Sequence, residues 1–158
     1  MSPQAKSDLA REHFTRAYGA FEAGDLVVGV TFLYLAAEAA IVALSELNGI
    51  ATDRQHWRKA RAATELQTRG VVVTDLSQVL ELLNQARKDV AYEGEDPDFG
   101  SWSSEDLLST VEGVVSKAEE EARTAESEAD AAGDGGQGAD DEAQDAGDVA
   151  EAGEESAP

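Results

Sequence analysis

The most restrictive feature of the sequence is an almost wholly apolar segment of nineteen residues, 26–44. Such a segment forms either a helix that just spans a bilayer or the central helix of a bundle. Glu38 lies inside it, and a carboxylate at the centre of a lipid-spanning helix costs roughly 2.5 kcal/mol or more. The flanking charges are acidic rather than basic. We therefore predict a central bundle helix and no membrane insertion.

Helical periodicity and capping residues predict four further helices and no strand. Val71–Val73 is strand-like in composition, but three residues without a partner run are too few to form a strand. The sequence therefore predicts an all-α, up-down bundle of about five helices. Their expected ranges are about 4–23, 25–47, 52–68, 75–94 and 104–123.

The charge is distributed unevenly along the chain. There are 33 acidic residues and 12 lysines and arginines, which gives a net charge of −21. Residues 124–158 hold 12 of the acids and no lysine or arginine, and removing these 12 charges from −21 leaves −9 for residues 1–123. Beyond Thr124 the segment has no aromatic residue, so it cannot bury enough apolar surface to offset its ordering entropy. We predict a bundle at residues 1–123 and an acidic disordered tail at residues 124–158.

An acidic chain of this kind repels nucleic acid and anionic membranes unless a local basic patch overrides its charge. Lysine is scarce, while alanine, aspartate and glutamate are abundant. This composition is also typical of salt-adapted cytosolic proteins, whose acidic surfaces maintain solubility while salt screens the repulsion. The absence of cysteine excludes disulfides and thiolate metal sites and fits a cytoplasmic protein.

The predicted third helix carries the basic cluster of the sequence. The cluster consists of Arg54, His56, Arg58, Lys59, Arg61 and Arg69. Trp57, Ala60 and Leu66 are expected to face inward as a thin apolar stripe. One interpretation is a solvated face whose charges pair with acidic neighbours. The other is a face that contacts phosphate, with ligand-binding residues Arg54, His56, Arg58 and Arg61.

Several other chemistries lack their residues in this sequence. The two histidines, His13 and His56, do not have the spacing of metal ligands on bundle helices, so no metal site is predicted. There is no glycine-rich phosphate loop and no serine or cysteine nucleophile motif. We therefore expect no cofactor.

The segment that stands out most is the end of the predicted fourth helix, Leu83–Gly94, which contains Arg-x4-Tyr at Arg87 and Tyr92. An acidic loop and a Ser-Ser-Glu-Asp cap onto the last helix follow it. Upstream lie an alanine-rich helix with aromatic residues, an Asn48–Gly49 stop and a polar helix with a histidine. In this order the features resemble the HEPN superfamily (higher eukaryotes and prokaryotes nucleotide-binding), most nearly its short prokaryotic, UPF0332-like branch. The resemblance covers about residues 10–120 and implies a HEPN-like bundle.

In HEPN proteins that cleave RNA the motif is Arg-x4–6-His, and two copies face one another in a dimer. The resemblance implies that Arg87 would hold the scissile phosphate, a task that suits a bidentate guanidinium. Tyr92 stands where the histidine belongs, and tyrosine, with an ordinary pKa near 10, is a poor base at neutral pH. The sequence therefore favours a protein without enzymatic activity. The alternative is a metal-independent endoribonuclease with Arg87 and Tyr92 as catalytic residues. In a purely structural alternative, Arg87 favours the helix dipole or pairs with Glu38 or Asp89, and Tyr92 plugs the bundle end.

The first functional hypothesis is a non-catalytic HEPN-like module that binds RNA, a nucleotide or a partner protein, with Arg87 and Lys88 added to the basic cluster. Many prokaryotic members are encoded beside a small nucleotidyltransferase as toxin–antitoxin pairs, so the resemblance implies such a partner. It also implies a homodimer, for which we expect an interface near Arg87, Phe99 and Trp102. The alternatives are a HEPN-type endoribonuclease with the altered Arg-x4-Tyr motif, and a helical adaptor with a solubilising acidic tail.

Overall fold

The computed structural model describes residues 1–53 and 55–134, and only the backbone of His56. These residues form α-helices and one short π-helical turn, with no strand among them, which confirms the predicted all-α bundle. The helices are α1 (Pro3–Glu22), α2 (Leu26–Leu47), α3 (His56–Thr68), α4 (Leu76–Lys88) and α5 (Ser104–Gly133), and the π-helical turn Asp89–Glu93 follows α4.

Helix α2 is the centre of the bundle, as predicted, because it packs against α1, α3, α4 and α5. It supplies Leu33, Ile41 and Leu44, which are among the largest fully buried side chains. Among the described helices it alone is long and apolar enough to cross a membrane. The core helix of a soluble protein has the same properties, and the packing of α2 on four other helices is that of a core helix.

Side-chain caps fix where four of the helices begin. Ser2, Asp25, Asp75 and Ser103 each accept a hydrogen bond of 3.0–3.2 Å from a backbone N–H in the first turn of the helix that follows. Such caps satisfy amide groups that have no partner within the helix. The starts predicted from the sequence at α2, α4 and α5 therefore agree with the structure.

Helix α3 begins later than the sequence predicts, at His56 rather than near Thr52. The carboxylate of Asp53 accepts a hydrogen bond of 2.8 Å from the backbone N–H of Gln55. Gln55 itself is extended, with φ −85° and ψ 129°. This local turn competes with helix formation and delays the first helical residue.

Helix α5 ends later than the sequence predicts, because it continues to Gly133 instead of fraying by Arg123. Ala122 is its last buried residue, so residues 124–133 form a largely solvent-exposed helical extension where the sequence predicts disorder. The extension is rich in alanine and glutamate, which have high helix propensity. The rest of the predicted disordered tail, residues 135–158, lies outside the described residues.

The far end of α4 passes into the π-helical turn, which ends at Gly94 in the left-handed region, φ 65°. In the loop that follows, Phe99 and Trp102 are partly buried against the core, as predicted. Val90, within the π-helical turn, packs with Val30 and Ala86 in a small second cluster that Phe99 also contacts. The α4 terminus is thereby fixed to the beginning of α2.

Candidate functional site

Arg87, the arginine of the motif, lies on the last turn of α4 and is held by neighbours within the bundle. Its guanidinium carbon lies 4.7 Å from the centre of the Tyr34 ring. One terminal nitrogen donates a hydrogen bond of 3.0 Å to the side-chain oxygen of Asn84. The Nε atom is buried and has no hydrogen-bond partner within the described part of the chain. Arg87 is therefore positioned by Tyr34 and Asn84.

A second group of polar side chains links α2 to α3 beside Arg87. The Tyr34 hydroxyl donates a hydrogen bond of 2.5 Å to one oxygen of Glu38, and Lys59 donates one of 2.6 Å to the other. The side chains of Lys59 and Glu38 are only 13% and 18% exposed. Burial, together with the hydrogen bond to Glu38, raises the pKa of Tyr34 above its usual value. Tyr34 is thus a protonated hydrogen-bond donor at neutral pH.

A cleft of about 270 Å³ opens next to this group, between α2, α3 and α4. Its polar lining includes Glu38, Glu81, Lys59 and Asn84. Two carboxylates face a single ammonium group there, so the charge of the cleft disfavours a phosphate group. No cluster of three or more histidine, aspartate or glutamate side chains suited to a metal ion is found among the described residues.

Tyr92, the second residue of the motif, lies in the π-helical turn and is 83% exposed. The structural alternative, in which Tyr92 plugs the bundle end, is therefore wrong; Phe99 and Val90 pack at that end instead. Within the described residues no hydrogen bond joins Tyr92 to Arg87. One protomer therefore does not join the two motif residues by a described hydrogen bond.

His13 makes no described contact with either residue of the motif. His13 lies on α1, where its ring centre is 5.5 Å from that of Phe32 and its Nδ1 is buried without a hydrogen-bond partner among the described residues. Burial lowers the pKa of His13. The side chain of His56 lies outside the described residues.

The basic face of α3 borders a different cleft, of about 370 Å³, which we call the arginine cleft and define by Trp57, Arg58, Arg61 and Arg69. The loop after α2, residues 49–51, forms its opposite wall. Trp57 is 58% exposed, so its predicted inward orientation is wrong; Ala62, Ala63 and Leu66 fill the core side of α3. The exposed indole donates a hydrogen bond of 2.7 Å to the side chain of Gln55.

The charges of the arginine cleft are only partly neutralised. Arg58 pairs with Asp53 at 2.8 Å and lies 5.0 Å from the Trp57 ring centre. Arg69 pairs with Glu65 at 2.9 Å and donates a hydrogen bond to the backbone oxygen of Asn48. Arg61 is exposed and makes no ion pair with any described residue. The cleft therefore combines a partly exposed indole with one guanidinium, that of Arg61, which has no ion pair among the described residues.

The structure divides the predicted ligand-binding residues between two places. Arg58 and Arg61 lie in the arginine cleft, whereas Arg87 and the exposed Lys88 lie at the end of α4. Arg54 falls outside the described residues. Trp57 and Arg69 join the cleft although the sequence did not single them out as ligands. The signal for Trp57 was its place in the first turn of a mostly basic helix.

Comparison with known proteins agrees with the all-α fold. The family model described as HEPN domain matches residues 7–122, which is well over half of the chain. No curated protein and no solved structure matches it. The matched region runs from α1 to the last buried turn of α5 and includes both Arg87 and the arginine cleft. The chain therefore belongs to the HEPN domain family.

Proposed function

We propose that this HEPN domain binds single-stranded RNA in the arginine cleft and does not cleave it. The observation that carries the proposal is the exposed indole of Trp57 beside Arg58, Arg61 and Arg69. Single-stranded RNA is recognised by stacking of unpaired bases on aromatic rings and by arginines at the phosphates. A cleft that offers both groups fits a short unpaired segment better than a duplex.

The acidity of the whole chain makes a local basic site necessary for such binding. With a net charge of −21, the molecule repels a polyanion at long range. At the cleft surface, within a Debye length of about 10 Å at 0.1 M salt, the nearest charges dominate. Arg61 has no ion pair among the described residues and is the cation most free to bind a phosphate.

The state of Arg87 supports a role without catalysis. Cleavage of RNA needs a general acid or base positioned at the ribose hydroxyl. Arg87 instead contacts Tyr34 and Asn84, and both oxygens of Glu38 accept hydrogen bonds from Tyr34 and Lys59. Both oxygens of this carboxylate are therefore engaged within the bundle rather than positioned at a ligand.

One observation favours a second candidate, a metal-independent endoribonuclease with the altered Arg-x4-Tyr motif. The buried Nε of Arg87 has no partner among the described residues, and a phosphate oxygen would satisfy it. The exposed Tyr92 of one protomer would then have to reach the site of another. A third candidate, a helical adaptor with a solubilising acidic tail, requires no ligand at either site.

A homodimer and a partner protein belong to the proposal. The interface we expect, near Arg87, Phe99 and Trp102, lies at a bundle end where Val27, Val28 and Tyr92 are exposed. Exposed apolar residues grouped at one end are typical of an interaction surface. Light scattering at micromolar protein concentration tests the dimer.

Co-purification with the product of a neighbouring nucleotidyltransferase gene tests a toxin–antitoxin pair, and we expect both proteins to be cytoplasmic.

Fluorescence anisotropy with a labelled, uridine-rich single strand of RNA tests the binding proposal. Loss of a stacked base costs about 1–3 kcal/mol, so Trp57→Leu is expected to weaken binding from about 5-fold to more than 100-fold. The matched control is Tyr18→Leu, which removes an exposed aromatic side chain from α1. Arg61→Gln should weaken binding and lower the salt slope by about one, unlike Arg16→Gln on α1. Equal effects of each variant and its control would contradict the proposal.

A further inference from the structure

The arginine cleft has a complementary segment within its own chain. Residues 135–158, which lie outside the described residues, contain eight aspartates and glutamates and no lysine, arginine or histidine. A carboxylate presents two oxygens to a guanidinium in the same bidentate geometry as a phosphate. A run of carboxylates can therefore pair with the arginines of the cleft in the same way as the phosphates of an RNA backbone.

The helix that leads into this segment contacts the edge of the cleft. The side chain of Asn48 donates a hydrogen bond of 2.9 Å to Glu121 of α5. The backbone oxygen of Asn48 accepts a hydrogen bond of 2.9 Å from Arg69, which belongs to the arginine cleft. Asn48 thus joins the edge of the cleft to the helix that leads into the acidic segment.

The chain length allows the acidic segment to return to the cleft. From Glu121 to Gly133, α5 extends by about 18 Å, at about 1.5 Å per residue. The residues beyond Asp134 can span at most roughly 80 Å, at about 3.3–3.6 Å per residue. The segment is therefore several times longer than the distance it must cover, and no change in the bundle is needed.

We propose that the acidic segment, residues 135–158, binds the arginine cleft of its own chain and competes there with single-stranded RNA. The competition rests on the proposed function of the cleft, whereas the contact within the chain does not. A tethered segment has an effective concentration on the order of 1 mM. Weak binding of the segment, with a dissociation constant of about 0.1 mM, then reduces RNA affinity about tenfold.

The contact within the chain is tested with a paramagnetic label on the full-length protein. The sequence has no cysteine, so Ala146→Cys provides a unique attachment point in the acidic segment. We expect the label to broaden the amide signals of residues 49–51 and 58–69, and we expect Arg58→Gln with Arg61→Gln to remove this broadening. Broadening that is absent, or that persists in the arginine variant, would overturn the proposal.

A mixture of labelled protein and unlabelled, isotope-enriched protein distinguishes one chain from two. Broadening in the enriched copies would mean that the segment binds a second molecule, which contradicts binding to its own chain. Broadening within the labelled chain without broadening in the mixture supports binding of the segment to its own chain.

Competition is tested by two variants that remove the same number of charges. The segment variant is Asp140→Asn, Asp141→Asn, Glu142→Gln and Asp145→Asn; the control is Glu126→Gln, Glu128→Gln, Asp130→Asn and Asp134→Asn, all exposed on α5 or at its cap. Both change the net charge equally, so long-range repulsion falls equally. We expect the segment variant to bind RNA at least about threefold tighter than the control at low salt, and the difference to vanish near 1 M salt, where the Debye length is about 3 Å.

The two experiments separate failure of the inference from failure of the proposed function. If the segment contacts the cleft and neither variant binds RNA, the RNA-binding function is wrong, and competition falls with it while the contact stands. If both variants bind RNA equally, through Trp57, the function stands and the competition is overturned.

Discussion

Lys59 on α3 donates a hydrogen bond of 2.6 Å to Glu38, the charged residue within the otherwise apolar core stretch of α2. Both side chains are largely buried, at 13% and 18% exposure. A carboxylate in this position is stable only when paired, because its desolvation is otherwise uncompensated. The pair therefore explains how the central helix tolerates a charge, and it connects α2 to the helix that carries the arginine cleft.

We expect Lys59→Gln to lower the free energy of unfolding by about 1–3 kcal/mol, because it leaves Glu38 without its ammonium partner in a partly dry site. The matched control is Lys117→Gln, which breaks a more exposed pair with Glu121 at 3.5 Å. An exposed pair contributes roughly 0–1 kcal/mol. Urea unfolding at one salt concentration measures both changes. Equal losses would show that the Glu38 pair has no special role.

Arg87 is expected to act in stability rather than in RNA cleavage. Arg87→Gln removes its contact with the Tyr34 ring and weakens its hydrogen bond to Asn84, a loss of about 1–3 kcal/mol in the free energy of unfolding. Lys88→Gln, at the exposed neighbour, should change the free energy of unfolding by less than about 0.5 kcal/mol.

The same Arg87 variant tests catalysis. Wild type and Arg87→Gln should both leave total cellular RNA intact, at low salt and at molar salt. Cleavage by the wild type that disappears in the variant would show that the altered motif is active and that the second candidate function is correct.

The burial of His13 makes stability depend on pH in a defined direction. Its folded-state pKa lies below the ordinary value of 6.5 because burial disfavours the charged imidazolium. The unfolded chain therefore binds the proton more readily than the folded chain. The contribution of neutral His13 to the free energy of unfolding is present above pH 6.5 and is lost as pH falls through the folded-state pKa. The difference in unfolding free energy between wild type and His13→Gln should shrink over this range. Glu12 raises the pKa of His13 and Arg16 lowers it, so a widening difference would mean that Glu12 outweighs burial.

The fold follows from the sequence to a large extent because its helices are set by local signals. The apolar segment of α2 and the caps at Asp25 and Ser103 need no knowledge of distant residues. The orientation of Trp57 could not be predicted in this way. Its apolar character indicated the core, whereas Ala63 and Leu66 occupy the packed side of α3.

The candidate site depends on contacts that no spacing reveals. Arg87 lies over Tyr34, fifty-three positions earlier in the chain, and Arg69 reaches the end of α2 at Asn48. Arg58 and Lys59 are adjacent in sequence, yet one borders the open cleft and the other pairs with Glu38 in a partly buried position. The described members of the basic cluster therefore fall into two structural groups, which only tertiary packing separates.

Two alanines of α5 test why the helix continues past the end that the sequence predicts for it. Ala122 is 1% exposed in the bundle, whereas Ala129 is exposed in the extension beyond it. In each position glycine disfavours the helix by about 1 kcal/mol relative to alanine. We expect Ala122→Gly to lower global stability by at least that amount, because a buried methyl group is lost as well. Ala129→Gly should instead reduce the helical circular dichroism signal and speed amide exchange near residue 129, with the global unfolding midpoint unchanged. A lowered midpoint for Ala129→Gly would mean that the extension packs against the bundle, and an unchanged helical signal would mean that residues 124–133 are not helical in solution.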